Sequence, residues 1–571
     1  CDTPSPRRDF ASHNLVYDWD GNNLAYGRGH PEYSPNQESE VMMSEDQNII
    51  RASSVMALGT LLSRVTGLIR GLLTVAVLGT ALLGDTYNVG NTTPNIIYNL
   101  LIGGALTAVF VPQIVRSFRD QDGGSAFVSK LTSLIGTLIF AVTGIAMIAA
   151  PLLVSLYAPT FQGRARDITI AFTLYCLPQI LFYGLFGVLG QITNAKERFG
   201  PMMWSPIANN LVVIGLFSYF LMAVPDLRAD SITDQQVMIL GLGTTLGIAI
   251  QAALLLPYIR KSGLELRIRF DWRGSGLGKS IRLGSWTLFS VLVSQIGFLV
   301  TVNLATRSGL SALQSGIDYG VGYTPYANAY LIMMLPHSIA TISIVTAILP
   351  QLSKFVIDGD LSKVQNSIRN SLRLVAIITV PAAIFFMVFG ELVSQSLFFG
   401  IDSDSSKYLG QVLVAFALGL VPLSINLVGI RALNAFENTK FQFITTLINN
   451  LLSVGLSILS FVIFDPEDVV IALAWAFTIS YWISVLVTDL LLSKFTRTLI
   501  LTRELSFYLR VAVVAGVAVG LAWLGDNSLM LGGNIGRLAL VLVAASLLYL
   551  GIARLVKLKE VGETIKVILR R

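Results

Sequence analysis

The chain has 571 residues, of which 53% are hydrophobic and only 13% charged, with a mean hydropathy of +0.68; a soluble protein of this size carries about a quarter charged residues. That composition points away from a soluble enzyme or a nucleic-acid binder, and the surplus of six positive charges suits a membrane surface better than nucleic acid. Cys1 and Cys176 are the only cysteines, which leaves no disulfide framework and no paired-cysteine metal site.

Residues 1–48 are polar, rich in Asn, Ser, Pro and acidic side chains, and show no apolar period, so this segment is predicted to be a disordered cytoplasmic tail. It lacks the basic start and apolar run of an export signal, and Met42 or Met43 is a candidate start. From Ala52 almost to the end, apolar blocks recur at a length of about 20 residues, that of a bilayer-spanning helix and too long for barrel strands of about 10.

Fourteen helices are predicted, centred near Leu68, Ile102, Ala141, Leu177, Val213, Ile248, Ile296, Leu335, Ile384, Ala415, Leu451, Phe477, Val514 and Val543. The connections after even-numbered helices carry basic clusters such as Arg116, Arg119 and Lys130, or Arg260, Lys261, Arg267 and Arg269. The opposite connections carry Asp226, Asp230, Asp234, Asp402, Asp404, Asp465, Glu467 and Asp468. Basic loops stay in the cytoplasm, so both termini are expected there. The resulting division is a tail (1–48), an N-lobe of six helices (49–262), a basic linker (263–280), a C-lobe of six (281–496), helices thirteen and fourteen (497–557) and a basic tail (558–571).

A repeat runs through the two lobes. Asn194-Ala195-Lys196-Glu197 and Asn209-Asn210 return as Asn434-Ala435-Phe436-Glu437 and Asn449-Asn450, each pair displaced by 240 residues. A unit with an even number of crossings keeps its orientation when duplicated, which gives parallel halves related by an axis along the membrane normal, as in transporters that rock one half against the other.

Helix one carries Arg64 and Arg70 inside its apolar run. A guanidinium in the hydrocarbon layer costs roughly 2.5–3.5 kcal/mol on insertion scales, so each faces protein, water or an anion. Six residues place them about 120° apart around the helix and about 9 Å apart along it. Gly67 and Gly71 permit a bend or close packing there, so both forks could reach one cavity, and such forks suit pyrophosphate. Each arginine could instead be a structural charge. Asp85, opening helix two, is either an outer gate paired with a base or a helix cap. Pro94-Asn95 is expected to interrupt helix two, and Pro325, Pro336 and Pro350 fall in helix eight; broken helices in matching positions mark a binding cavity. His337 is a proton carrier or a hydrogen-bonded packing residue, and Asp318 and Asp489 are expected to reach water. There is no catalytic triad, zinc spacing, Walker loop or nucleotide-binding glycine turn, so no enzyme, metal or cofactor is predicted.

The run Ser63-Arg64-Val65-Thr66-Gly67-Leu68-Ile69-Arg70, followed by Asp85, Pro94-Asn95, Gly104-Ala105-Leu106 and Phe110-Val111-Pro112, resembles the first two helices of the MurJ/MviN lipid II flippases. Asn194 to Phe199 and Leu349-Pro350-Gln351-Leu352-Ser353-Lys354 are similar to further segments, and Asn95-Ile96-Ile97-Tyr98 is similar to the actinobacterial branch. The resemblance implies an all-α exporter of the multidrug/oligosaccharidyl-lipid/polysaccharide superfamily in the bacterial plasma membrane. Its two six-helix lobes would surround a cationic cavity and move undecaprenyl-pyrophosphate disaccharide-pentapeptide to the outer leaflet for peptidoglycan synthesis. Arg64 and Arg70 fall on the family's cavity arginines and Asp85 on its helix-two aspartate. Substrate binding is thus expected at Arg64, Arg70 and Asn95, and gating at Asp85, Gly67, Gly71 and Pro94.

The chain departs from the family pattern where Tyr98 and Gly103 replace an arginine and a glutamate of helix two, and where Leu331 lies near the place of a helix-eight arginine. Expected partners are lipid II, membrane lipids and cell-wall synthesis proteins, with the chain a monomer. Rival readings are a flippase for another polyprenyl-pyrophosphate oligosaccharide, a cation-coupled drug exporter, which would want carboxylates in its cavity, and a non-transporting cell-wall scaffold.

Overall fold

The computed structural model describes residues 58–102, 111–118, 122–196, 198, 200–224, 227–261, 263–264, 266–271, 277–529, 533–558 and 560–562. The predicted N-terminal tail and Gly103 therefore lie outside the described residues, among which no strand occurs. Among the described residues twelve helices are long and apolar enough to span a membrane, and the bent pair Ser403–Ala417 and Leu420–Ala435 makes a thirteenth. Leu82–Ile102 has the length but is polar, with four asparagines and three threonines in its 21 residues. These fourteen contain the predicted centres in order.

The first half is built from α1 (Leu58–Leu78), α2 (Leu82–Ile102), α3 (Val111–Ser117), α4 (Ser125–Ile148), α5 (Ala150–Tyr157), α6 (Gly163–Cys176), α7 (Gln179–Ala195), α8 (Gly200–Ala223), α9 (Asp234–Ala253) and α10 (Leu256–Arg260). Two apolar clusters hold it together, one around Ile135, Ile139, Leu177 and Leu189, the other around Tyr87, Phe172, Val213 and Phe217. The second half runs through α11 (Leu277–Gln314), α12 (Tyr323–Pro336), a π-turn (His337–Thr341), α13 (Ile342–Ile357), α14 (Leu361–Leu397), α15 (Ser403–Ala435), α16 (Thr439–Ile463) and α17 (Pro466–Thr496). α18 (Leu505–Leu529) and α19 (Asn534–Leu555) pack on α14.

The duplication is visible in the helix ends. α7 and α15 stop at Ala195 and Ala435, and α8 and α16 at Ala223 and Ile463, the offset that separates the asparagine pairs. In each half the second asparagine of the pair meets a glycine: Asn210 of α8 at Gly67 of α1, and Asn450 of α16 at Gly297 of α11.

Two sequence expectations change. Pro94 does not interrupt α2, which continues from Leu82 to Ile102 around it; a proline removes one backbone donor, and the packing of α2 against α6, α7 and α11 holds the helix on either side. In helix eight the break follows Pro336, where the five-residue π-turn begins. Asp489 does not reach water. It is fully buried and accepts hydrogen bonds from the amides of Ile500 (3.0 Å), Leu501 (3.1 Å) and Thr502 (2.9 Å) and from the Thr502 hydroxyl (2.8 Å), because the loop after α17 folds back and points its amides at the carboxylate. Asp318 is exposed, as expected.

Candidate functional site

α1 sits between the halves. Its exposed apolar residues Leu58, Leu61, Leu62, Val65 and Ile69 form one stripe at helical spacing, and each arginine lies about 120° to one side of it. Gly67, on the opposite face, meets Asn210, and Gly71 meets Asn328 and Leu331 of α12. Gly71 thus serves close packing, whereas a side chain at Gly67 would make only ordinary contact with Asn210, and α1 runs unbroken through both. The Asn210 amide donates to the Ser63 carbonyl (3.0 Å) and to Thr66 Oγ1 (2.9 Å), fixing the rotation of the helix that carries the charges.

Arg64 is exposed and lies within electrostatic range of His337 in the second half. Arg70 is half-buried and lies within range of Tyr87 and Tyr183 in the first. Tyr183 neighbours the Asn95 side chain, whose Oδ1 accepts from Asn99 Nδ2 at 2.8 Å, so polar side chains of α7 and α2 lie on the Arg70 side of α1. Among the described residues neither guanidinium has an acidic partner. His337 is buried and its Nδ1 pairs with Ser424 Oγ at 2.8 Å. At the departures from the family pattern, Tyr98 packs its ring 5.6 Å from that of Tyr183, and Leu331 fills the space over Gly71.

Asp85 is 3% exposed and has no base beside it among the described residues. Its carboxylate accepts from the Tyr323 amide (3.1 Å), the Thr324 amide (2.7 Å) and the Thr324 hydroxyl (2.6 Å). It therefore caps a helix, and the helix is α12 of the other half; a carboxylate is favoured at an N-terminus, where the amides lack intrahelical partners. The same end of the bundle carries other links between the halves. Asn88 donates to Thr324 Oγ1 (3.0 Å), Asn303 to the Leu156 carbonyl (2.7 Å) and Thr306 to the Tyr157 carbonyl (2.9 Å). Gly320 lies on the Thr80 backbone and Gly400 on Ala76, approaches that a side chain would block.

A cleft of about 340 Å³ lies midway along the bundle between α2 and the second half. It takes Asn95 and Asn99 from α2, Gln295 from α11, Tyr326 and Tyr330 from α12, Asn449 and Asn450 from α16, and Tyr481 from α17. Sequence reading missed this cleft, although the Asn449-Asn450 repeat was its visible trace.

Fourteen membrane-length helices among the described residues, folded as two duplicated halves with neutral polar groups lining the cleft between them, are those of a membrane transporter. It shares its fold with a solved "Lipid II flippase MurJ, inward closed conformation" (TM-score 0.70, 19% identity, covering 88% of this chain and 99% of that one) and with an inward-facing multidrug resistance MATE family transporter of the MOP superfamily (TM-score 0.62, 16% identity, 78% and 99%). The family described as "Lipid II flippase MurJ" matches residues 74–544, and the chain belongs to that family. Among curated relatives it is 24% identical to "Probable lipid II flippase MurJ" of Rhizobium tropici, over 88% of this chain and 93% of that protein. It is 28% identical to the protein of the same name from Haemophilus influenzae, over 59% and 66%, and 24% identical to "Lipid II flippase MurJ" of Burkholderia cenocepacia, over 66% and 71%. Its membership and its apolar helices make it a multi-pass protein of the bacterial inner membrane.

Proposed function

We propose that this chain flips lipid II, carrying the undecaprenyl-pyrophosphate disaccharide-pentapeptide from the inner to the outer leaflet by alternating access. The observation that carries the reading is the pair of guanidiniums on α1, without acidic partners and placed to either side of its inner face. Such forks match the oxygens of a pyrophosphate, and an anion between the halves would offset the cost of keeping them in the membrane. Asn95, on the Arg70 side of α1, would complete the grip.

The basic loops support cytoplasmic termini, and with that orientation the Asp85 junction would be the outer gate. The described shape would then be one in which the outer side is closed. Opening outward would break the bonds of Asp85 to α12, while Gly67, Gly71 and Pro94 would let α1 and α2 slide on their neighbours. The rocking bodies would be residues 49–262 and 281–496. A membrane potential, negative inside, favours anion export by about 2.3 kcal/mol per charge per 100 mV, so the motion needs no nucleotide.

The test is depletion of the protein in its host with leaflet-resolved measurement of lipid II, complemented by wild type or Arg64→Ala. Inner-leaflet accumulation rescued by wild type alone is expected. Full rescue by the alanine variant would remove the role given to Arg64, and unchanged lipid II on depletion would favour a flippase for another polyprenyl-linked oligosaccharide or a scaffold.

A further inference from the structure

The chain that leaves the first half for the second is held against a membrane helix. It departs from α10 through Leu264, buried in the apolar cluster that includes Val128 and Leu131 of α4. It then follows α4, the Arg267 amide donating to Ser129 Oγ at 3.1 Å and the Arg269 amide to Ser133 Oγ at 2.9 Å. Four residues of helix rise about 6 Å and two of extended chain about 6.6 Å, so these bonds lay an extended stretch parallel to the α4 axis. α4 is about 36 Å long against a hydrocarbon layer of about 30 Å, and Ser133 lies about 12 Å from its start. The stretch at Arg269 therefore reaches the depth of the first acyl groups, on the side that carries the basic connections.

Its side chains are sorted to match. Ile268 is 81% exposed and Phe270 68%, with Leu266 exposed before them, and alternate residues of an extended chain share one side. One exposed apolar group is ordinary, but three in register, at that depth and on a helix that itself exposes Leu138 and Phe140, suit lipid. Charges at the same level are matched: Asp271 lies 2.7 Å from Lys130 and 3.0 Å from Arg269, as ions close to hydrocarbon require. Nearer the end of the helix the balance turns positive, with Arg260 and Lys261 exposed at the close of α10 and Arg267 at the head of the stretch. Tyr258 of α10 is exposed beside them, an aromatic that favours the headgroup layer.

We propose that residues 266–271 are an interfacial strap, with Ile268 and Phe270 seated among the upper acyl groups and Arg260, Lys261 and Arg267 holding the phosphates of anionic phospholipids. The strap follows from membrane embedding alone and is independent of the cargo. The test uses the full-length protein in nanodiscs of phosphatidylcholine. Cys1 and Cys176 are the only cysteines and Cys176 is buried, so Cys1→Ser with Ile268→Cys leaves one reactive thiol for a nitroxide. Dissolved oxygen is expected to relax that nitroxide more than a water-soluble nickel chelate does, with the opposite order for a nitroxide at Arg198→Cys, an exposed position beyond α7. Phe270→Cys serves if the label at Ile268 disturbs folding.

For the headgroups, detergent-solubilised protein is titrated with short-chain phosphatidylglycerol or phosphatidylcholine, and slowing of the nitroxide at Ile268→Cys is read. Phosphatidylglycerol is expected to bind more tightly. Arg260→Gln and Arg267→Gln should each weaken it about fivefold, the scale of one cation beside an anionic surface, and leave phosphatidylcholine unchanged. Nitroxides at Ile268→Cys and Phe270→Cys as open to the chelate as the one at Arg198→Cys overturn the strap and leave this face to a soluble protein partner. Equal affinities for the two lipids, unaltered by the glutamine variants, overturn the anionic site.

Discussion

The carboxylate of Asp85, in the first turn of α2, accepts both the backbone amide and the hydroxyl of Thr324, in the first turn of α12, so a helix of one half is capped by a residue of the other. A helix cap is worth about 0.5–2 kcal/mol, and here that energy depends on the halves being together. Asp85→Ala is expected to shift the protein toward the shape open at this end. Spin labels placed across the two halves at this end would report longer distances in the variant. Distances equal to wild type would show that the junction holds without Asp85.

Arg64→Ala and Arg70→Ala are each expected to reduce transport at least tenfold while leaving thermal unfolding in detergent within about 0.5 kcal/mol of wild type, because removing a charge without an acidic partner orphans nothing. Arg64→Lys keeps the charge but loses the planar fork, so it should recover only part of the activity. A large loss of stability in either alanine variant would make these arginines structural.

Asn210→Leu tests the hold on α1 without altering a charge. Two hydrogen bonds to Ser63 and Thr66 are lost, at about 1 kcal/mol each. The expected result is a destabilised protein whose α1 rotates more freely, seen as faster motion of a spin label at Leu61, together with transport reduced as in the arginine variants. Unchanged mobility would contradict the anchoring.

Glu504 is buried, accepts a hydrogen bond from Arg373 (2.7 Å) and pairs ionically with Arg369 (2.9 Å), and Arg373 also donates to Glu560 (2.9 Å). This network ties the start of α18 and the segment after α19 to α14. Both arginines are about a third exposed, which screens the loss, so Glu504→Gln is expected to cost on the order of 1–2 kcal/mol. Protease cleavage after α17 should rise; resistance equal to wild type would rule out the tie.

The stretch after α10 lies along α4, where the Arg267 and Arg269 amides donate to Ser129 and Ser133 and Asp271 pairs with Lys130 at 2.7 Å. Hydrogen bonds from Lys130 and then Arg269 hold the Asp271 carboxyl down at about 2, below the ordinary 3.8. A lowered carboxylate pKa favours the attached form above the ordinary value, and the contribution is lost as pH falls through the lower one. Protection from hydrogen exchange at residues 266–271, taken relative to the intrinsic rate at each pH, should therefore hold from pH 7 to 5 and fall below pH 4. Asp271→Asn should remove that fall.

How much of this could be read from residues alone followed the range of the interaction. The fourteen helices were legible because a bilayer imposes its own length on apolar runs, and the asparagine pairs betrayed the duplication because polar residues at a fixed offset stand out against Leu, Ile and Val. Asp85 was legible as a gate or a cap, but its partners are backbone amides more than two hundred residues away, which leave no mark in side-chain identity. Asp489 was misjudged for the same reason: its neighbours are amides of a returning loop, and position near a helix end says nothing about them. Pro94 was read as a break because the local rule was applied without the packing that overrides it. The cleft at Asn449 escaped notice because its lining comes from α2, α11, α12, α16 and α17, which only the fold brings together.

Asn210 fastens α1 to α8 through hydrogen bonds, whereas α1 meets α12 at Gly71 through Leu331 and Asn328 without a hydrogen bond and packs Val75 into the core of the second half. On the flippase reading, guanidiniums that travel with the first half would keep their cargo in one frame of reference while the other moves away. Release would then be a matter of losing the far wall, with no handover from one set of cations to another.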